Sequence, residues 1–352
     1  MKLHQRFLST ALTLLLLVSL TACGQKADTP APAAPETAAP EAAAPESDAL
    51  PAEPPANSVQ MRVAALKGPT AMGLVNLMST PGAGQDYEFT LAGSADEVTP
   101  ALIKGDLDAA CVPANLASVL YNKTEGGVVC LAVNTLGVLY IVENGEEIRS
   151  MEDLRGRTIV SAGKGATPEY GLRYLLSENG IDPDKDVTID WKSEHSECVA
   201  ALASGAVTIA MLPQPFVTAA QGKIEGLRTA LDLTAEWDAL AGGSAMITGV
   251  VVARRAFVEE HPEAVERFLE EYAQSVDWVN ANPAEAGALI AEYGIVESAA
   301  LAEKALPNCN IVCLTGQEMF EKLSGYLQVL SEAAPESVGG ALPRDDFYYG
   351  AA

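Results

Sequence analysis

The sequence predicts an α/β protein of two similar lobes joined by crossover strands, with helices at the C-terminus. Three observations carry that expectation. From Met61 onward, short apolar runs alternate with loops and helix-patterned stretches. The order of these segments recurs about a hundred residues later. Beyond Ala253 the patterns are dominated by helices.

The segment before Met61 reads as address and tether. Lys2 and Arg6 form a short basic start, and Phe7 to Leu20 runs mostly apolar around Leu14–Leu17. That run suits a signal h-region and falls short of the roughly 20 residues a membrane span needs. Leu20-Thr21-Ala22-Cys23 follows and resembles the bacterial lipobox. The resemblance implies that residues 1–22 are a lipoprotein signal peptide and that Cys23 carries a lipid. Residues 24–59 hold 8 of the 21 prolines and 12 alanines, with no aromatic. Such a stretch buries too little apolar surface to offset its ordering entropy, so 23–59 reads as a lipidated cysteine and disordered tether. The expected location is the extracytoplasmic face of the cell membrane, held there by a lipid anchor only.

The recurring segments define the folded part. Met61–Leu66 reads as a strand, followed by Lys67-Gly68-Pro69-Thr70 and a helix from Ala71. Thr158–Ser161 reads as a strand, followed by Lys164-Gly165-Ala166-Thr167 and a helix from Pro168. Later in each half the echo returns at a constant offset. Ala101-Leu102-Ile103-Lys104-Gly105 leads through Asp108–Val112 to Pro113, and Ala201-Leu202-Ala203-Ser204-Gly205 leads through Thr208–Leu212 to Pro213. Two echoes in the same order imply two lobes of one topology. In the second lobe Thr167 is expected to cap its helix, with Pro168 at the first position, Glu169 at the positive end and Gly180 as the stop.

The apolar runs Val128–Val142 and Ala245–Ala253 lie between the halves and read as crossover strands. The first lobe then takes 60–143 plus 248–352, and the second takes 144–247. Pro262 opens a helix whose Val265, Phe268, Leu269, Tyr272, Val276 and Val279 share one face. Asn282-Pro283 opens the next helix and Gly294 ends it, while Thr315 and Glu318 suggest a capping box for the last one.

Charge excludes one class of partner. Lys plus Arg is 22 against 47 Asp plus Glu, a net charge of −25. Nucleic-acid binding needs a basic footprint, which is absent. Six cysteines in 352 residues are too few for a disulfide scaffold. Besides Cys23 there are five, an odd number, so at least one thiol is free.

Four segments carry a family resemblance: Leu102-x-x-Gly105-x-Leu107-Asp108-Ala109, Ile148–Arg157, Leu202-x-x-Gly205-x-Val207-x-x-Ala210 with Gln214-Pro215, and Ala253-Arg254-Arg255-x-Phe257-x-x-x-His261-Pro262. With them, roughly residues 60–345 resemble the solute-binding proteins of ABC importers, of the type II periplasmic-binding-protein fold. The nitrate/sulfonate/taurine and thiamin-precursor group is the most similar. The resemblance implies lobes that close on a small solute, ABC permease and ATPase subunits as partners, a monomer, and no cofactor.

In open α/β sheets ligands bind beyond the carboxyl ends of the strands. Here those ends offer Lys67, Gly68, Pro69, Thr70 and Met72, then Ser94 and Asn115, with Asn134 on the crossover. The second lobe offers Gly165, Ala166, Thr167, Gln214 and Pro215. Two Lys-Gly-x-Thr loops opening helices would suit a small anion or polar organic solute, since helix N-termini carry unpaired N–H groups. The same loops equally suit an ordinary turn and cap, with Lys67 and Lys164 in solvent. Met72 and Phe216 suit core packing as well as a cleft wall. Ser94-x-x-Glu97 reads as a capping box, which gives Glu97 a structural role.

Catalysis and metal binding have little support. His195 and His261 stand alone in sequence, and Cys309-x-x-x-Cys313 lacks a second ligand pair. No catalytic residue, metal or cofactor is therefore expected. Two alternatives stay open: an enzyme of pyrimidine-synthase or menaquinone-pathway type on the same fold, and a non-transporting surface sensor.

Overall fold

The computed structural model describes residues 59–240 and 244–351. The signal peptide, Cys23 and nearly all of the tether lie outside the described residues. Among the described residues eleven strands run in chain order: Met61–Leu66 (β1), Tyr87–Ala92 (β2), Ala109–Pro113 (β3), Val128–Leu136 (β4), Leu139–Asn144 (β5), Thr158–Ala162 (β6), Thr188–Lys192 (β7), Ile209–Pro213 (β8), Leu227–Asp232 (β9), Ile247–Arg254 (β10) and Ile311–Leu314 (β11).

They form two sheets, ordered β11-β4-β10-β3-β1-β2 and β7-β6-β8-β5-β9. In each, three parallel strands lead, and an antiparallel strand follows beside the third. β2-β1-β3-β10-β4 thus repeats as β7-β6-β8-β5-β9. The echo in the sequence is this repeat: β1 matches β6, and β3 matches β8. Each sheet also takes its antiparallel strand by crossover, β5 arriving from the first sheet and β10 returning from the second.

One expected boundary moves. The run Val128–Val142 is two strands, because β4 belongs to the first sheet and β5 pairs with β8 and β9 in the second. The changeover lies at Gly137-Val138, before the expected boundary after Glu143. β4 is buried along nearly its whole length and β5 along all but its last residue, so neither shows the alternation that would mark an end.

Helices cover the sheets. The helix Pro262–Ala281 buries Val265, Phe268, Tyr272, Val276 and Val279, while Leu269 sits half-buried at the edge of that face. Phe268 and Tyr272 stack with ring centroids 5.7 Å apart. The helix Gly316–Ala333 buries Met319, Leu323, Tyr326, Leu327 and Leu330. These belong to one apolar cluster that also contains Val133 of β4 and Ile141 of β5. The two sheets are therefore joined by packed side chains as well as by their crossovers. Thr315 precedes that last helix, but its side chain makes no cap bond.

A buried charge ties the first sheet together. Asp108 accepts from Arg62 Nε at 2.8 Å and Nη2 at 2.7 Å, and from Arg254 Nη2 at 2.8 Å. Burial pushes the Asp108 carboxyl up, but the bonds from Arg62 and Arg254 outweigh it and hold the group below the usual aspartate value.

Candidate functional site

The carboxyl ends of β1, β3, β4, β6 and β8 supply most of the expected residues. Five polar side chains there are buried: Thr70, Asn115, Asn134, Thr167 and Gln214. All are neutral amides or hydroxyls. Burying them costs free energy unless each is hydrogen-bonded, so their partners define what they can still do.

Thr70 and Asn134 work within the first lobe. Thr70 Oγ1 donates to the Leu66 carbonyl at 2.9 Å. Asn134 Nδ2 donates to the Thr70 carbonyl at 3.2 Å, and its Oδ1 accepts from Thr135 Oγ1 at 3.0 Å. Asn134 is wholly enclosed, and its bonds brace β4 against the loop after β1. Gly249 of β10 makes room for this brace, since a Cβ there would lie 2.5 Å from both Asn134 Oδ1 and Thr70 Cγ2.

Asn115 and Thr167 meet across the two sheets. Asn115 opens the helix after β3 and Thr167 opens the helix after β6. Thr167 Oγ1 donates to Asn115 Oδ1 at 3.4 Å, and Asn115 Nδ2 donates to the Ser337 carbonyl at 3.2 Å. Thr167 does not cap its helix as expected. Ala166, extended at φ −129°, takes the cap position, and Thr167 and Pro168 form the first turn. The threonine side chain is thereby freed to face the first lobe. Gln214, joined to Pro215 by a cis peptide bond, accepts from Thr218 N and Oγ1 through Oε1 at 3.3 and 2.9 Å. Its Nε2 carries two further donors.

The remaining expected residues are distributed elsewhere. Lys67, Gly68 and Pro215 line an inter-lobe groove of about 270 Å³ with Val199, Phe216, Ile295, Val296 and Leu301. Gly68 has φ 126°, a conformation that favours glycine, and Pro69 begins the short turn Pro69–Met72. Met72 is fully buried in the first lobe's core, so it packs and does not wall the cleft. Ser94 is exposed, and its hydroxyl donates to Glu97 Oε1 at 3.1 Å in the expected capping box.

The two Lys-Gly-x-Thr loops differ in the structure, and Lys67 and Lys164 line separate hollows. Pro69–Met72 is a four-residue turn, too short to develop a helix dipole. Lys164 is exposed and faces a separate hollow with Arg173, Asp184 and Trp191. The loop nitrogen of Gly165 donates to Glu169 Oε2 at 2.7 Å, so a carboxylate of the chain itself occupies the start of that helix. In the sequence Glu169 reads only as a favourable charge at a positive helix end, and its reach back to Gly165 has no local signature beyond that.

Two further groups were illegible in sequence. The Tyr326 hydroxyl, from the C-terminal helix, lies beside Thr167, is fully buried, and has no hydrogen-bond partner among the described residues. Burial raises it above the ordinary tyrosine value, and Thr167 opposes the shift. A larger hollow of about 970 Å³ lies between the helices Thr167–Glu178 and Gly316–Ala333, away from the strand-end loops of the first sheet.

Comparison with known proteins agrees with this architecture. A protein of Brucella abortus (strain 2308) named as a binding protein is 26% identical over 218 residues, and this chain spans 65% of its length and aligns over 60% of its own. An ABC transporter structure from Parabacteroides distasonis is 25% identical with a TM-score of 0.70, covering 83% of this chain and 99% of that one. The periplasmic aliphatic sulphonate-binding protein SsuA of Escherichia coli shares the fold at 15% identity and TM-score 0.67, over 82% and 95% of the two chains. The family model described as "ABC transporter, phosphonate, periplasmic substrate-binding protein" matches residues 73–303, and the chain belongs to that family.

Proposed function

We propose that the protein is the solute receptor of an ABC importer. It captures a small solute between its lobes and delivers it to a membrane permease with its ATPase. The observation that carries this reading is the convergence of neutral hydrogen-bonding groups from both sheets, Asn115 and Thr167 above all, in a molecule whose two lobes also frame a groove with apolar walls. Amides and hydroxyls hold a ligand without needing to exchange protons with it, which suits capture and release better than turnover. The family description and the named relatives point the same way.

In this reading the lobes are 60–143 with 248–352, and 144–247, adjusted so that β5 travels with the second. They close by hinge motion about the crossovers. The chain works as a monomer, tethered through Cys23 on the extracytoplasmic face, and makes or breaks no bond in its solute.

A thermal-shift screen of the full chain against small organic solutes tests the proposal. A solute at a hundred times its dissociation constant stabilises by about 2.7 kcal/mol, a clear rise in midpoint. Thr167→Val should abolish that rise; it also leaves Asn115 Oδ1 without its donor, so the unliganded midpoint should fall somewhat and the solute effect is read against the variant's own midpoint. Turnover of a bound compound, or no compaction in X-ray scattering with any solute or small-molecule extract, would sink the receptor reading.

A further inference from the structure

We infer that the Tyr326 hydroxyl is a solute contact, and that leaving it unpaired opposes lobe closure without a solute. This deepens the receptor reading and rests on it. Tyr326 lies in the helix Gly316–Ala333, which follows β11 at the edge of the first sheet. Its ring packs against Trp237 of the helix Leu233–Leu240, which follows β9 of the second sheet, with centroids 5.3 Å apart. Tyr174 continues the row, 4.7 Å from Trp237. Gly325 sits against the returning crossover, since a Cβ there would lie 3.1 Å from Ser244 Cβ, and Trp237 Nε1 donates to Ser244 Oγ at 3.1 Å. Tyr326 therefore stands on the seam between elements of the two sheets.

The polar end of that ring meets the two residues that touch across the sheets. The hydroxyl lies beside Thr167, whose Oγ1 donates to Asn115 Oδ1 at 3.4 Å. Asn115 is engaged at both ends of its amide, because Nδ2 donates to the Ser337 carbonyl. The Tyr326 hydroxyl is fully buried and has no hydrogen-bond partner among the described residues. It is free to donate to an acceptor brought between the helix that Asn115 opens and the helix that Thr167 opens. A phosphonate, sulfonate or carboxylate oxygen supplies such an acceptor, and so does an amide carbonyl.

An unpaired buried hydroxyl also costs free energy in the closely packed arrangement of this seam. Parting the lobes returns the hydroxyl to water, and a solute oxygen satisfies it in place. The solute-free protein is thus biased toward the open form, and the solute removes that bias as it binds. Tyr272 provides the contrast. Its hydroxyl is equally buried without a partner among the described residues, but it lies inside the first lobe's own apolar core, beside Asn134. Lobe movement does not reach it.

The test compares the full chain with Tyr326→Phe and Tyr272→Phe. All three carry Trp191→Phe and Trp278→Phe, which leaves Trp237 as the one tryptophan of the chain. Acrylamide quenching of Trp237 reads the seam, and thermal shift reads stability. Without solute, Tyr326→Phe should hold or raise the midpoint and lower the quenching constant. Methylphosphonate, methanesulfonate, acetate and acetamide are then titrated as probes of the acceptor chemistries. At least one should bind the unsubstituted seam at about 10 mM and protect Trp237. Tyr326→Phe should weaken that probe about tenfold. Tyr272→Phe removes a hydroxyl from the core alone and should change neither quenching nor affinity.

A solute-free midpoint that falls in Tyr326→Phe with quenching unchanged means that the hydroxyl is already bonded within the protein, and it overturns the inference. Equal probe affinity with and without the hydroxyl overturns it too, as does an equal loss in Tyr272→Phe or the failure of all four probes to bind. Each of these leaves the receptor reading intact. That reading fails separately, by turnover or by the absence of compaction with any solute or small-molecule extract.

Discussion

Gly137 lies directly against Thr234, so close that a Cβ on the glycine would sit 2.1 Å from Thr234 Oγ1. Gly137 is the point where the chain leaves the first sheet for the second, between β4 and β5. Thr234 stands in the first turn of the helix Leu233–Leu240, where its N–H donates to Asp232 Oδ1 at 2.9 Å. The Gly137 carbonyl accepts from Asn310 Nδ2, and the Leu136 N–H donates to the Asn310 carbonyl at 3.1 Å. The crossover is thus gripped from both sides, and any lobe motion must pass through it.

Gly137→Ala should therefore destabilise the protein by about 1–3 kcal/mol through overpacking. Thr234→Ala removes the closest atom and should restore part of that loss in the double variant. A double-mutant cycle in urea measures the coupling, which should exceed about 0.5 kcal/mol for residues in contact. Additive effects of the two substitutions would show that the close approach is relieved by backbone movement at no cost.

Asp108 is the second test point. It is 3% exposed in its side chain and pairs with arginines of β1 and of β10. Asp108→Asn leaves both guanidinium groups without their carboxylate and should cost about 3 kcal/mol, at the low end for a broken buried pair because Arg62 is 36% exposed. The pH dependence follows from the lowered carboxyl. The unfolded chain binds its proton near pH 3.9, and the folded chain only below that. The contribution is therefore complete above about pH 4 and fades as the pH falls through the folded value. Urea midpoints of wild type and variant should converge toward pH 3. A constant gap from pH 7 to pH 3 would mean that Asp108 acts through packing and not through charge.

The legible part of this molecule was its repetition, and the illegible part was whatever reaches across it. The match of Ala101–Pro113 with Ala201–Pro213 located β3 and β8 because both halves must bury the same strand and end it at the same turn. The split between β4 and β5 was hidden, since buried strands give one continuous apolar run and only Gly137 interrupts it. Thr167, Asn115 and Gln214 were picked out because strand ends are where ligands go, and they are indeed buried at those ends. Their partners were not. Asn115 bonds the carbonyl of Ser337, and the Tyr326 hydroxyl is brought beside Thr167 by a helix at the far end of the chain. Such pairings arise from packing between lobes and leave no mark in local spacing. Lys67 and Lys164 diverge for the opposite reason: their loops match in sequence, but the two residues line different hollows.

His195 supplies a prediction in the acid range. It begins the helix His195–Ala203 in the second lobe, and its ring lies 5.2 Å from that of Phe216, which lines the inter-lobe groove. Its Nδ1 is buried without a partner among the described residues. Burial lowers its pKa to about 4, so the imidazole is neutral at pH 7. An unfolded histidine titrates near 6.5. Between these values the unfolded state holds the extra proton, so stability rises with pH across the window and is complete above about 6.5. Lowering the pH from 7.5 to 5 should cost about 2 kcal/mol from this group. His195→Phe keeps an apolar ring against Phe216 and cannot protonate. Its urea midpoint should fall less over the same interval, with the two proteins' curves separating below pH 6.5. Because Phe216 forms part of the groove, solute affinity should weaken over the same range in the wild type and hold in the variant. Parallel stability curves for the two proteins would mean that His195 opens to water before it protonates, and that its burial is too loosely held to govern the groove.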